Sequence, residues 1–542
     1  MDILSSLSIG DVLSLLFLYL LTRAVYNRYF HPLCRFPGPF WASITSLWYF
    51  QTIRLSKPRN LQSALHEKYG DFVRVGPNLL AVCHPDAIST VFGTNTKNGQ
   101  AWRKGDFYES FAPRIPGARI DGFSERDDAR NAERRRIIAS LYTQGNLLRY
   151  EPRVDRIIEL FRGRMALLAE SGEPAEMSLW MERYAFDVVG EVFHGREDGF
   201  GMVRDGRDYN DWCHLMSVMP DIGASLMYVP WILKVPYFAG MMLFRSSRDG
   251  VRGMLDVTRQ AEKSANARWE AMQKGEEHPT EDILTGLLHI VRERGDEVNW
   301  NVADVATEVW AVIWAGSDTT ATALSSVFYH LHKHPAALAK LRREIELALA
   351  EGRLTRPIRY SEARKLPFLH AVVLESMRMH PSLGYGLPRE VPAEGAVLCG
   401  TPIPGGVEVI MNSGAVQQDP RAFGSDAKEW IPERWMDRNP SEVIKMDRAM
   451  LQFGQGPRVC IGRHISEIEM YKLLPTILTE FEFELLVEDW EICGGGFRRL
   501  RMLCAKWEDE GGSRSLSHGE IAYWGTRAYT SQGINEDCDE SY

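Results

Sequence analysis

The stretch Phe453–Gly462, FGQGPRVCIG, sets one cysteine among three glycines, a proline and an arginine, just ahead of a helical pattern. Glycines at 454, 456 and 462 let the backbone turn tightly and approach a flat ligand closely. A thiolate at Cys460 is a strong, soft ligand that needs shielding from water and protons. Arg458 brings a cation to the same edge, suited to a carboxylate. Beyond the cysteine, Ile465, Ile468, Tyr471, Leu474 and Leu478 fall on one face of an amphipathic helix, which Pro475 kinks without ending. The N-terminal dipole of that helix favours a thiolate. The bland alternative is the ordinary fate of a lone cysteine, burial in a structural loop.

Composition narrows the field. The 542 residues carry a net charge of -9, from 63 basic and 72 acidic side chains, which leaves no basic excess for nucleic acid. The eight cysteines form no CxxC pair, and no HExxH or Cys/His zinc spacing occurs. Scattered cysteines in so long a chain suit a reducing compartment better than a disulfide framework.

Four segments are expected along the chain. Residues 1–26 hold the run Ile3–Val25, ILSSLSIGDVLSLLFLYLLTRAV, charged only at Asp11 and Arg23 and read as a membrane anchor. Arg23, Arg28 and Arg35 put the following side in the cytoplasm. Residues 27–45 form a stiff, extended connector with prolines at 32, 37 and 39. Residues 46–507 are the catalytic body, and residues 508–542 are a polar, loosely ordered tail. Within the body, FVRV and LLAV flank Gly76-Pro77-Asn78 as a hairpin. Helical periodicity dominates from Pro152 to His380, and short strands return in Ala396–Asn412. The expected fold is mainly α with a small β-sheet region.

The longest helical pattern runs from Val302 to Leu331, about 45 Å at 1.5 Å per residue. Its centre, Ala315–Thr320, reads AGSDTT, a poor composition for a buried helix interior. One reading is a helix boundary capped by Ser317 or Asp318. Apolar periodicity on both sides favours a continuous helix, with Thr319 returning its hydroxyl to the Ala315 carbonyl and opening a notch. At the cysteine loop, a single thiolate facing a flat, doubly anionic cofactor describes haem ligation.

The decapeptide matches the haem-binding pattern F-x-x-G-x-R-x-C-x-G of the cytochrome P-450 superfamily at Phe453, Gly456, Arg458, Cys460 and Gly462. Glu375-Ser-Met-Arg378 resembles the family's E-x-x-R helix, and Arg434 in IPERW matches the third partner of that pair. AGSDTT resembles its oxygen-activating segment, and Arg389 after Pro388 its propionate arginine. The family often has Trp or His four residues before another propionate arginine, best placed here at Arg135, yet Asn131 stands at the aromatic position. Arg134 and Arg136 are alternatives, as is a plain basic helix face.

The resemblance implies haem b held between the long helix and the cysteine-bearing loop, with Cys460 as the axial ligand to iron. Ala315 and Gly316 would border bound dioxygen, and Asp318 and Thr319 would relay protons to it. It further implies insertion of one oxygen atom into a lipophilic terpenoid, polyketide or alkaloid intermediate of fungal secondary metabolism. Electrons would come from NADPH through a separate NADPH-cytochrome reductase, because the chain shows no GxGxxG, no P-loop and no spare length for a flavin domain. Arg463 and Lys472 would help that reductase dock. The implied location is the endoplasmic reticulum membrane, in contact with lipid, with the catalytic body cytoplasmic. Trp102, Phe107, Phe111 and Phe123, with the Met- and aromatic-rich stretch Asp211–Phe244, would line an apolar substrate channel, or else plain core. Two further readings are a haem-thiolate isomerase or dehydratase and a non-enzymatic haem sensor or carrier.

Overall fold

The computed structural model describes residues 8–54, 58–93, 101–276, 281–384, 386–486, 492–493, 496–497 and 500–506. One helix organises it. Val302–Lys333 runs unbroken through AGSDTT for 32 residues. Its start is fixed by a capping box, in which Asn301 caps the Asp304 amide and the Asp304 carboxylate returns to the Asn301 N–H. The polar centre survives because its hydroxyls bond within the helix: Ser317 Oγ donates to the Ile313 carbonyl at 3.1 Å and Thr319 Oγ1 to the Ala315 carbonyl at 2.7 Å.

Helices Met177–His194 and Arg245–Gln273 pack along this axis, and the core gathers around it. The helix after the cysteine, Arg463–Leu478, is buried from Ile465 to Leu478 on every side, with Pro475 inside it. The expected amphipathic face is therefore corrected: Glu467, Glu469 and Lys472 are covered too, by neighbours that sequence periodicity does not reveal. Phe72–Gly76 and Leu79–Val82 pair antiparallel, as the Gly-Pro-Asn turn requires. Leu79–Val82 then pairs parallel with Glu408–Ile410, whose other edge takes Arg389–Glu390. A three-stranded sheet joins Ala175–Glu176, Arg501–Lys506 and Phe481–Leu485.

The N-terminal expectations are met only in part. The described helix there, Ile9–Val25, has 17 residues, about 26 Å of rise, against the roughly 30 Å of a bilayer core. No helix among the described residues is long and apolar enough to cross a membrane. Ile3–Leu7 and the tail from Trp507 onward lie outside the described residues. The connector is not extended throughout: its first residues continue the helix as the π-helical turn Tyr26–Phe30. Proline at a first helical position lets Pro32–Arg35 form a 3-10 turn, and a short helix, Phe40–Ile44, follows.

Candidate active site

The Cys460 loop closes on itself: the Cys460 N–H donates to the Phe453 carbonyl at 2.8 Å and the Val459 N–H to the Gly456 carbonyl at 3.1 Å. Gly454 and Gly456 hold the positive φ values, +67° and +68°, that make this turn possible. At Gly456 a Cβ would sit 2.0 Å from the Phe92 carbonyl oxygen, a backbone atom with nowhere to go. Gly456→Ala is expected to cost more than the roughly 1–2 kcal/mol of the left-handed backbone alone. A lower melting temperature and a reduced haem-to-protein ratio are the readouts.

Cys460 lies deep in the molecule, yet its side chain is exposed, so it borders an internal cleft. Burial pushes its thiol pKa up, against the pull of the Gly462 and Arg463 N–H groups and of the Arg135 charge. A metal cation above the sulfur is what would hold it as thiolate. Ala315 is likewise exposed in the middle of an otherwise buried helix, with Val312, Gly316, Asp318 and Thr319 half-buried around it. Hydrogen bonds tie together the elements that carry these two open surfaces. Thr320 Oγ1 reaches Ser466 Oγ at 3.2 Å, joining the long helix to the cysteine helix just beyond the notch. Ser382 Oγ donates to the Thr319 carbonyl at 2.7 Å and accepts from Gln452 at 2.9 Å, tying the notch to the segment that leads into the cysteine loop.

One edge of the cleft is cationic. Arg458, its side chain 3% exposed, pairs with Asp128 at 2.6 Å, and its Nη1 has no partner. Arg389 is buried, donates to the Trp102 carbonyl at 3.3 Å and leaves Nε unpaired. Arg135, half-buried on helix Asp128–Ile138, donates to the Val459 carbonyl and feels the charge of Cys460. Its neighbours are otherwise engaged: Arg134 is buried against Glu308 at 2.6 Å, and Arg136 is exposed. The fully buried Glu375 takes both Nε and Nη2 of Arg378 at 2.7 and 2.8 Å, and Nε of Arg434 at 2.8 Å. The Ile431 N–H and Trp435 Nε1 complete its four-sided shell at 2.8 and 2.9 Å.

Three features escaped the sequence reading. Lys104 and Tyr108 are buried beside Arg389. Glu182 is buried on the neighbouring helix with Oε1 unpaired, its carboxyl held far above its usual range by burial and by the Asp318 charge. Lys472 is not a docking residue, since its side chain is 1% exposed and clamped by Glu151 at 2.8 Å and Asp155 at 2.9 Å. Trp212, expected as a channel candidate, packs in the core against Phe186, Phe200 and Tyr209.

Comparison with known proteins gives the family. The cytochrome P450 family model matches residues 36–493. The chain belongs to the cytochrome P450 family. It is 33% identical over 486 residues to the cytochrome P450 monooxygenase gsfF of Penicillium aethiopicum, covering 90% of this chain and 94% of that one. Cytochrome P450 monooxygenase cicH of Emericella nidulans is 34% identical over 466 residues, 84% and 88% of the two chains. A pisatin demethylase of Fusarium vanettenii is 31% identical over 476 residues, 86% and 87%. As a P450 monooxygenase the chain is an oxidoreductase that incorporates molecular oxygen, and its family's cofactor is haem. The site fits haem on its own chemistry. A soft sulfur donor faces a cleft, Gly456 is a cradle that a Cβ would fill, and buried guanidinium N–H groups stand unpaired at one edge.

Proposed function

We propose that this P450 inserts one atom of dioxygen into a C–H bond or double bond of a lipophilic small molecule, at the cleft between Cys460 and the Ala315–Thr319 notch. The observation that carries this reading is the exposed thiol on a deeply set loop beside the exposed Ala315 of an otherwise buried helix, on elements joined by the Thr320–Ser466 hydrogen bond. Cys460 would ligate the haem iron, and Arg135, Arg389 and Arg458 would hold its carboxylates. Haem bound there supplies the activation of dioxygen, which the electron-rich thiolate promotes.

The remaining tasks fall to side chains of the long helix. Thr319 would hold a hydroxyl at the notch, and Asp318, one residue before it, would bring protons in from the side of Glu182. An aromatic cluster on the 101–123 loop supports a lipophilic substrate: Phe111 packs tilted against Phe107 and edge-to-face against Phe123, with centroids 5.2 and 5.8 Å apart. The relative named pisatin demethylase fits the same class, since removal of a methyl group can begin with oxygen insertion into one of its C–H bonds. An intermediate of fungal secondary metabolism is the substrate we favour, with electrons from NADPH by way of a separate reductase.

Attachment to the endoplasmic reticulum membrane is part of this reading. Helix Ile9–Val25 is solvent-facing along its apolar residues, and Trp41, Val235 and Phe244 are 63%, 79% and 67% exposed. Phe50 packs on Tyr237 with centroids 5.1 Å apart, which joins the N-terminal and Trp231–Met241 regions into one surface.

Product formation that requires the reductase, NADPH and oxygen together tests the function. Turnover without oxygen would instead place the chain with the isomerases and dehydratases. Thr319→Ala is expected to lower product formation by roughly 100-fold, the scale of a lost proton-transfer group, while NADPH oxidation continues. Product formed per NADPH consumed is the measurement.

A further inference from the structure

We infer that Lys104 and Tyr108, on the loop that walls the substrate cleft, form the second carboxylate anchor for haem in this chain. They take the place of the missing aromatic partner at Asn131. This rests on the haem-thiolate reading above.

The backbone sets the geometry. Residues 103–105 lie along Pro388–Glu390 as a short antiparallel pair, with the Glu390 N–H donating to the Arg103 carbonyl at 2.8 Å and the Gly105 N–H to the Pro388 carbonyl at 3.1 Å. The bridge places Lys104 directly opposite Arg389. Lys104 is 4% exposed, with its ammonium 4.3 Å from the Tyr108 ring centroid and 5.0 Å from that of Phe123. Its one neutral acceptor is the Phe123 carbonyl. Tyr108 is fully buried and its hydroxyl has no partner.

Three cationic side chains and a phenol thus converge where little compensates them. Asp128 is committed to Arg458, and Asp121 to the N–H groups of Phe123 and Ser124. Burial, then Arg389 and Arg458, drives the Lys104 pKa well below its ordinary value. A buried lysine among arginines is costly unless an anion joins it. A carboxylate at this edge would accept from the ammonium, the phenol and the unpaired Arg389 Nε together. Asn131 is also buried, with Oδ1 unpaired beside Gly122, and is too short to serve in their place. Cofactor binding and the order of the 101–123 loop are then linked, because the residues that grip the carboxylate are continuous with Phe107, Phe111 and Phe123 of the substrate wall.

The test uses holoprotein and follows haem transfer to excess apomyoglobin. Lys104→Met and Tyr108→Phe are expected to release haem roughly 10- to 100-fold faster, the usual scale for a lost outer partner, with Lys104→Arg near native. The ferrous carbonyl band should stay in its native place in all three, since Cys460 is untouched; that separates failure of this inference from failure of the thiolate reading. Loss of a cation near the haem should also lower the ferric/ferrous midpoint potential in Lys104→Met but not in Tyr108→Phe, which removes no charge, whereas loosening of the loop would lower both. If Lys104→Met yields no holoprotein, faster loss from Tyr108→Phe together with native retention in Lys104→Arg supports the anchor. Release within twofold of native in every holoprotein obtained overturns it.

Discussion

Replacing Cys460 with serine abolishes the strongly red-shifted Soret band of the ferrous carbonyl protein, and oxygenation falls by more than the roughly 100-fold ceiling of outer-partner changes. Serine is nearly isosteric, so the loop need not rearrange: the Cys460 N–H to Phe453 carbonyl bond is backbone and survives. What changes is the donor. A hydroxyl is a hard, weakly acidic ligand in a site where burial already opposes a negative charge at this position. The loop's answer is two N–H groups and the Arg135 charge, which only partly offset that burial. The check is the carbonyl spectrum of native and variant proteins at matched haem content. A native protein, folded and haem-loaded, that lacks the band would remove the monooxygenase mechanism and favour a sensor or carrier.

Much of this site was legible because its residues are close in sequence or bound by a fixed period. FGQGPRVCIG is local, and so is the Thr319-to-Ala315 hydroxyl bond, which follows from a four-residue spacing once the helix is continuous. The hairpin at Phe72–Val82 was legible from its turn. The Lys104–Arg389 bridge was not, because 285 positions separate two residues that only the fold brings together. Lys472 misled for a related reason. A lysine on a helix reads as solvated, but Glu151 and Asp155 of another helix neutralise it inside the core. At Arg134–Arg136 composition leaves the choice open, and tertiary pairing narrows it: Glu308 takes Arg134 and leaves Arg135 facing the cysteine loop. Apolar composition at the N-terminus suggested a span, yet the α-helix covers 17 residues, Ile9–Val25, before the backbone passes into the π-helical turn Tyr26–Phe30, and the residues before Ser8 fall outside what the structure describes.

Glu375→Gln is expected to destabilise the fold by about 3–5 kcal/mol, the cost of stranding buried charge. An exposed pair of this spacing is worth only a few tenths of a kcal/mol, and by spacing alone Glu375-Ser-Met-Arg378 is such a pair. Burial reverses the weighting. Glu375 and Arg378 are fully covered and Arg434 very nearly so, and one carboxylate serves two guanidinium groups, a backbone amide and an indole. Glutamine keeps one acceptor oxygen but turns an NH2 group toward the surrounding donors and leaves two cations without their shared anion. Arg378 and Arg434 retain carbonyl partners at Gln417, Ala427 and Phe423, and Arg434 keeps Asp426 at 2.9 Å, so the loss is partial rather than total. Against a typical folding stability of about 5–15 kcal/mol, that loss is enough to deplete native holoprotein. The urea midpoint of purified protein, with the haem-to-protein ratio at expression, measures it. A midpoint equal to native would mean that the carbonyls and Asp426 suffice to hold the two arginines, and that the carboxylate at position 375 is dispensable to the fold.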